Sequence, residues 1–382
     1  MKHLNNLINL SSLRIGKLKI KIPIIQGGMG VGLSLSKLAS AVAKAGAVGV
    51  IATAGIGMLE PDFASNLKQA NERALRQEIR KAKQLSGDEG IVGVNVMVAL
   101  SDFDDLLGVA VDENIDVVFM GAGLPLKQPK TIPSFAGMHT EFVPIVSSAR
   151  AADLIFQYWQ KHYNFVPNAV VVEGPLAGGH LGFKKAQIDN PAYALEKLVP
   201  EVVSTIRPYA DAFKKHISVI AAGGIYTGED IFKIMQLGAD GVQMATRFIG
   251  TYECDASEHF KNAYIQCSKD ELEIIDSPVG LPGRAIHNEF LAQVSAGIRK
   301  PVKCPWKCLK TCDFKNVPYC IADALTNAKL GKLDNGFAFA GANAYRVNEI
   351  ISVDELIKIL VKEYEEAVLA ATSGKKSASG IA

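Results

Sequence analysis

The chain is 382 residues long, 48% hydrophobic and 21% charged, enough to bury a large core in one big domain with a smaller one beside it. Its 41 basic and 39 acidic residues leave a formal net charge of +2, which argues against a nucleic-acid binder working through a basic surplus. It shows neither an apolar run of about 18 residues that would mark a membrane span nor a basic–apolar–small leader; the cytoplasm is the expected compartment, and the six cysteines are expected as reduced thiols or metal ligands.

In chain order, short runs rich in valine and isoleucine fall at residues 23–26, 47–51, 92–96, 117–120, 142–146, 169–172, 218–221 and 241–244. Each has the pattern of a strand covered on both faces, as in a parallel sheet. Helical segments alternate with them. Ser34 is placed to cap a helix with Leu35, Leu38, Ala39 and Val42 on one face and Gly46 at its end. The basic stretch 73–83 reads as the solvated face of a helix, and residues 148–162 form another. Asp230 opens a helix carrying Ile231, Ile234 and Met235, closed by Gly238. Eight β–α steps in about 250 residues predict an α/β fold of the (β/α)8 TIM-barrel type. The rival, an open doubly wound sheet, needs Gly-x-Gly-x-x-Gly after its first strand; Gly28-Met29-Gly30-Val31-Gly32 misses that spacing. Beyond Phe248 the alternation stops. The expected organisation is a barrel over residues 1–250, a smaller cap with a cysteine cluster over 251–340, and 341–382 as a C-terminal helix packing back on the barrel. Ser352 and Glu355 form a capping box for that helix, which is read to about Ala371, with a mobile tail from Ser373.

A barrel carries its functional groups at the C-terminal ends of its strands. Gly28, Met29 and Gly30 follow the first strand, Asn95 ends the third, and Glu173 follows the sixth, leading into Gly178-Gly179-His180. Gly223 and Gly224 follow the seventh, and Gln243, Met244, Ala245 and Thr246 complete the eighth. Glycines let a backbone approach a flat or anionic ligand. Loops after strands seven and eight are the usual phosphate site of barrels, and Thr246 adds a hydroxyl. A histidine after two glycines is a proton-handling group beside a bound cofactor.

These segments in this order, together with Gly93-Val94-Asn95 and Gly341-Ala342-Asn343-Ala344, resemble the nitronate monooxygenase family (2-nitropropane dioxygenases), and flavin-dependent enoyl-[acyl-carrier-protein] reductases resemble the same segments. The resemblance implies an FMN-binding barrel. In it, residues 28–30 would lie against the ring system, Asn95 would bond its polar edge, and Gly178 and Gly179 would pass close by. Gly223, Gly224 and residues 243–246 would cradle the phosphate, and His180 would be catalytic. Glu173 stands where many nitronate enzymes carry a flavin-contacting glutamine, and a carboxylate cannot donate a hydrogen bond unless protonated; this departure tilts toward the enoyl reductases.

The resemblance thus implies oxidation of a small alkyl nitronate with dioxygen, with reduction of an enoyl thioester by NAD(P)H as the alternative. A flavin or iron–sulfur electron carrier or redox sensor is a reading of another class. Oligomeric state stays open. Cys304, Cys308, Cys312 and Cys320 lie within seventeen residues of one another, three of them at a spacing that shares one helical face. They are candidate ligands for an iron–sulfur cluster or zinc, with buried free thiols as the alternative. Trp306 and Tyr319 are expected to shield them. His287 is expected at the surface, and Arg284 is open between an anionic substrate and a salt bridge.

Overall fold

The structure is a computed structural model that describes residues 12–132, 134–299, 304 and 306–378. A hairpin of β1 (Leu13–Ile15) and β2 (Leu18–Ile20) leads into β3 (Ile24–Gln26), α1 (Ser36–Lys44), β4 (Val48–Ala52), α2 (Leu67–Ser86), β5 (Ile91–Met97), α3 (Phe103–Asp112), β6 (Val117–Gly121) and β7 (Glu141–Val146). There follow α4 (Ala149–Tyr163), β8 (Ala169–Glu173), the short β9 (Gly179–His180), α5 (Lys185–Ile188), α6 (Leu195–Phe213), β10 (Ser218–Ala222), α7 (Gly228–Met235), β11 (Gly241–Met244) and α8 (Thr246–Ile249). Strands β3 to β8, β10 and β11 close into a parallel barrel in that order, a (β/α)8 TIM barrel. All eight strands fall where valine- and isoleucine-rich runs predict them, because a strand buried on both faces has no polar side to interrupt the run.

Within the barrel β3 is the short strand, and Ile25↔Val48 is its one register pair with β4. The fully buried Gln26 strengthens that seam by accepting a hydrogen bond from the Val50 amide at 3.0 Å. The N-terminal hairpin was not foreseen. Its Leu13, Ile15 and Ile20 are buried among Val117, Phe119 and Ile220 inside the barrel. They close one end, so the strands' C-terminal ends remain the open rim.

Beyond β11 come α9 (Glu258–Gln266), β12 (Leu272–Asp276), β13 (Pro282–Ile286), α10 (Glu289–Ser295), α11 (Ile321–Lys329) and α12 (Val353–Ala378). Strand β13 pairs antiparallel with β12 on one side and with β9 on the other. This second sheet is therefore stitched to the loop that leaves β8. Helix α12 lies against α7 so closely that a side chain at Gly228 would sit 2.2 Å from the Leu360 carbonyl. The Gly228 amide donates to Glu363 at 2.7 Å.

Four local expectations are corrected. Ser34 does not cap α1; its hydroxyl accepts instead from the Met29 amide at 2.9 Å, and Leu35 occupies the cap position without a side-chain bond. Helix α12 continues to Ala378 rather than ending near Ala371, which leaves only the last part of the expected tail, residues 379–382, outside the described residues. The cysteines at 304, 308 and 312 do not share a helical face, because their described surroundings are loop and turn. Asp230 does not open α7 either: Thr227 caps it, accepting from the Asp230 amide at 3.1 Å, while the Asp230 carboxylate accepts from the Thr227 amide at 2.9 Å. Ser148 accepts from the Ala151 amide as read, and Ser352 accepts from the Glu355 amide at 3.1 Å, one half of the expected box.

Ile15 is fully buried at the closed end, away from the rim. Ile15→Ala is expected to cost about 2–5 kcal/mol of stability by leaving a cavity, read as a lower denaturant midpoint, with ligand affinity at the rim unchanged.

Candidate active site

The open rim surrounds a cavity of about 280 Å³. Gly28, Met29, Gly30, Asn95, Glu173, Gly178, Gly179, His180, Gly223, Gly224, Gln243, Met244, Ala245 and Thr246 all line it. Residues scattered over more than 200 positions of sequence are thus brought to one wall by the parallel barrel. Phe339, Ala340 and Gly341 from the segment before α12 close it, with Tyr264 of α9 and Leu325 of α11.

Much of the wall is backbone. Gly179, Gly223 and Gly224 have φ of +75°, +93° and +90°, a region that side chains disfavour. A Cβ at Gly178 would stand 2.6 Å from the Gly341 amide nitrogen, and one at Gly223 would stand 2.8 Å from the Gly174 carbonyl. Asn343 donates to the Gly224 carbonyl at 2.7 Å and so orients that loop. A side chain at Gly28 would collide with Asn95, which packs directly against it.

His180 is held on three sides. Its backbone pairs with Gly283 of β13, its Nε2 lies 2.6 Å from the Ser277 hydroxyl, and its ring meets Phe339 edge-on with centroids 4.9 Å apart. Burial drives its pKa down to about 4, so the imidazole is neutral at pH 7. Its Nδ1 has no hydrogen-bond partner among the described residues. Glu173, opposite Ala222 of β10, has its pKa pushed up to about 7 by burial. A carboxyl poised between its two forms at the end of a barrel strand is a functional-site signature.

The loop that carries His180 is set by Arg284. This buried guanidinium donates through Nη1 to the carbonyls of Pro175 and Ala177, at 2.9 and 2.6 Å. It therefore serves neither a substrate anion nor a salt bridge. Among the described residues no lysine or arginine lines the cavity. His287 is at the surface, 3.1 Å from Glu273.

Sequence reasoning missed Ser277, Phe339 and Asn343 as parts of this site. Ser277 is 97 residues from His180, in a Pro/Gly loop whose composition signals a turn and nothing of its target. Of the four clustered cysteines, none lines the rim cavity. Among the described residues no group of three or more ligand-type side chains is arranged to hold a single metal ion, and all six cysteines are free thiols.

A parallel barrel whose open end presents bare backbone to a flat ligand, with a neutral imidazole beside it, is the architecture of a cofactor-dependent barrel oxidoreductase. The chain belongs to the nitronate monooxygenase family, matched over residues 11–363, and is a flavin-dependent oxidoreductase of that type. A probable nitronate monooxygenase of Staphylococcus saprophyticus is 26% identical over 317 residues, covering 75% of this chain and 82% of that one. A dehydrogenase of Mycobacterium tuberculosis, named for a hydroxy-methyl-oxo-octahydroindene-carboxyl-CoA substrate, is 26% identical over 280 residues, covering 73% and 67%. Among solved structures, FabK from Thermotoga maritima superposes with a TM-score of 0.70 at 27% identity, over 93% of this chain and 96% of that one.

Gly178→Ala is expected to push residues 340–341 outward, since its new Cβ meets backbone rather than a movable side-chain tip. Flavin affinity, followed by fluorescence titration, should fall at least about tenfold, the equivalent of 1.4 kcal/mol.

Proposed function

We propose that this chain is an FMN-dependent enzyme of nitronate monooxygenase activity, in which His180 manages the proton on the substrate carbon. The observation that carries this reading is the neutral, immobilised His180, whose Nδ1 has no partner among the described residues, on a cavity wall with no lysine or arginine among its described lining residues. FMN suits this wall. Residues 28–30 and 178–179 offer backbone to a flat ring. The amides of Asn95 and Gln243, and the Glu173 carboxyl, have no hydrogen-bond partner among the described residues and line the same cavity. Gly223, Gly224 and Ala245 supply N–H groups, and Thr246 a hydroxyl, for a phosphate without a cation. Bound FMN supplies the electron acceptor, with dioxygen completing the oxidation.

The protein's own part is proton control. A neutral nitroalkane enters an apolar cavity at lower desolvation cost than its anion. Transfer of its α-proton to His180 Nδ1 breaks the C–H bond and leaves the electron pair on the nitro group as a nitronate. The resulting imidazolium is weakly basic when alone in this buried place, and the nitronate beside it raises its pKa. Ser277 then accepts a hydrogen bond from Nε2–H, and Phe339 keeps the ring from turning.

A second reading, an NAD(P)H-dependent enoyl thioester reductase, is favoured by Glu173. Below pH 7 its carboxyl is mostly protonated and donates where a glutamine would. The CoA substrate named for the mycobacterial relative points the same way. Anaerobic mixing separates the two. Flavin bleaching by a nitronate with no response to NAD(P)H supports the first, whereas bleaching by NAD(P)H that a crotonyl thioester reverses replaces it with the second.

His180→Ala should retain flavin yet lower turnover of a neutral nitroalkane by ~10²–10⁴-fold, the usual contribution of a general base. A preformed nitronate should lose far less, because its proton is already gone. The kcat/KM profile should show no histidine limb near 6.5, since the folded pKa lies at about 4. A step near pH 7 should instead report Glu173 losing its proton as pH rises, and Glu173→Gln should abolish that step.

A further inference from the structure

We propose that Cys304, Cys308, Cys312 and Cys320 hold an iron–sulfur cluster at the rim of the barrel. This inference does not rest on the identity of the substrate. The segment that carries the thiols is fastened to the loop leaving β5. Leu309 bridges Leu100, the Ser101 amide donates to the Cys308 carbonyl at 3.0 Å, and the Lys310 amide donates to the Ala99 carbonyl at 2.9 Å. Cys320 then caps α11, whose Leu325 faces the flavin cavity.

The four thiols lie on one short segment between the β5 loop and the start of α11. The backbone turns back on itself between the first two, where the Lys307 amide donates to Cys304 Sγ at 3.4 Å, an N–H···S contact of the kind that supports cluster thiolates. Among the described residues, however, no three ligand-type side chains converge on a single ion. Zinc at about 2.3 Å from each sulfur would draw the four to about 3.8 Å from one another. A polynuclear cluster, several ångströms across, takes its thiolates further apart. The Cys-x-x-Cys pairs of zinc knuckles are also absent from this segment.

Unpaired donors lie in the same segment and on the cavity that Cys320 lines. The indole N–H of Trp306, the Tyr319 hydroxyl and Arg299 Nε are buried without a hydrogen-bond partner, and Tyr319 itself is 4% exposed. Tyr319, Arg299 and Cys320 line a second cavity of about 370 Å³. Buried orphan donors are costly unless something accepts from them, and the sulfides and thiolates of a cluster are acceptors. Hydrogen bonds of this kind also tune cluster potentials.

The test uses the full-length flavoprotein, purified anaerobically and again after reconstitution with ferrous iron and sulfide. Iron and acid-labile sulfide in equal amounts, with a visible absorption beneath the flavin bands that dithionite bleaches, are expected. Cys308→Ser and Cys312→Ser should each lose both, and Cys267→Ser should keep them; flavin content and circular dichroism report folding in every variant. Zinc at one ion per chain without sulfide would overturn the cluster, as would a wild-type protein that takes up no iron. Iron retained when Cys308 and Cys312 are both replaced would also overturn it. If one serine variant proves insoluble, the wild-type iron and sulfide stoichiometry still decides.

Discussion

The antiparallel pairing of His180 with Gly283 is the contact on which the site depends. The barrel alone would deliver a glycine-rich loop from β8 with nothing to set its path. By drawing residues 179 and 180 into a sheet with β13, the region after the barrel turns that loop into a strand. The same region sends Arg284 beneath it to satisfy two carbonyls and Ser277 above it to hold the imidazole. A histidine on a free loop would be solvated and would titrate near its ordinary value. Clamped in this way it is stripped of water, and its neutral form wins.

The site works by partial charges. Its wall offers amide groups, a hydroxyl, a neutral imidazole and a carboxyl near its midpoint, with no ammonium or guanidinium among the lining residues described. Fixed dipoles cost nothing to reorganise when charge appears on a ligand, and they act strongly where water is excluded. Arg284, a buried cation packed against the histidine loop, spends its donors on backbone. This keeps a permanent positive charge off the cavity wall, whose titratable groups among the described lining residues include His180 and Glu173.

The barrel was legible because its strands are buried on both faces, so eight valine- and isoleucine-rich runs stand out without an alternating pattern to obscure them. Its rim was legible for a related reason: a glycine pair or an isolated Asn, Gln or Glu at the end of such a run breaks the apolar pattern at the place where the fold puts ligands. What stayed hidden lies in contacts between distant segments. Nothing around Ser277 says that it reaches His180. The hairpin at residues 13–20 has strands of three residues each, too short for a periodic signal. The spacing of the cysteines suggested a helix face, whereas that segment takes its shape from the β5 loop it lies on. Ser34 fits a cap by type, yet the Met29 amide competes for the same hydroxyl and wins, which shapes the first rim loop.

The segment at 339–341 has a consequence for biosynthesis. It supplies the last side of the cavity, touching Gly178 and Thr246, which were translated long before it. A nascent chain therefore carries an open-sided pocket until residues 339–341 have been made and have folded back onto the barrel rim.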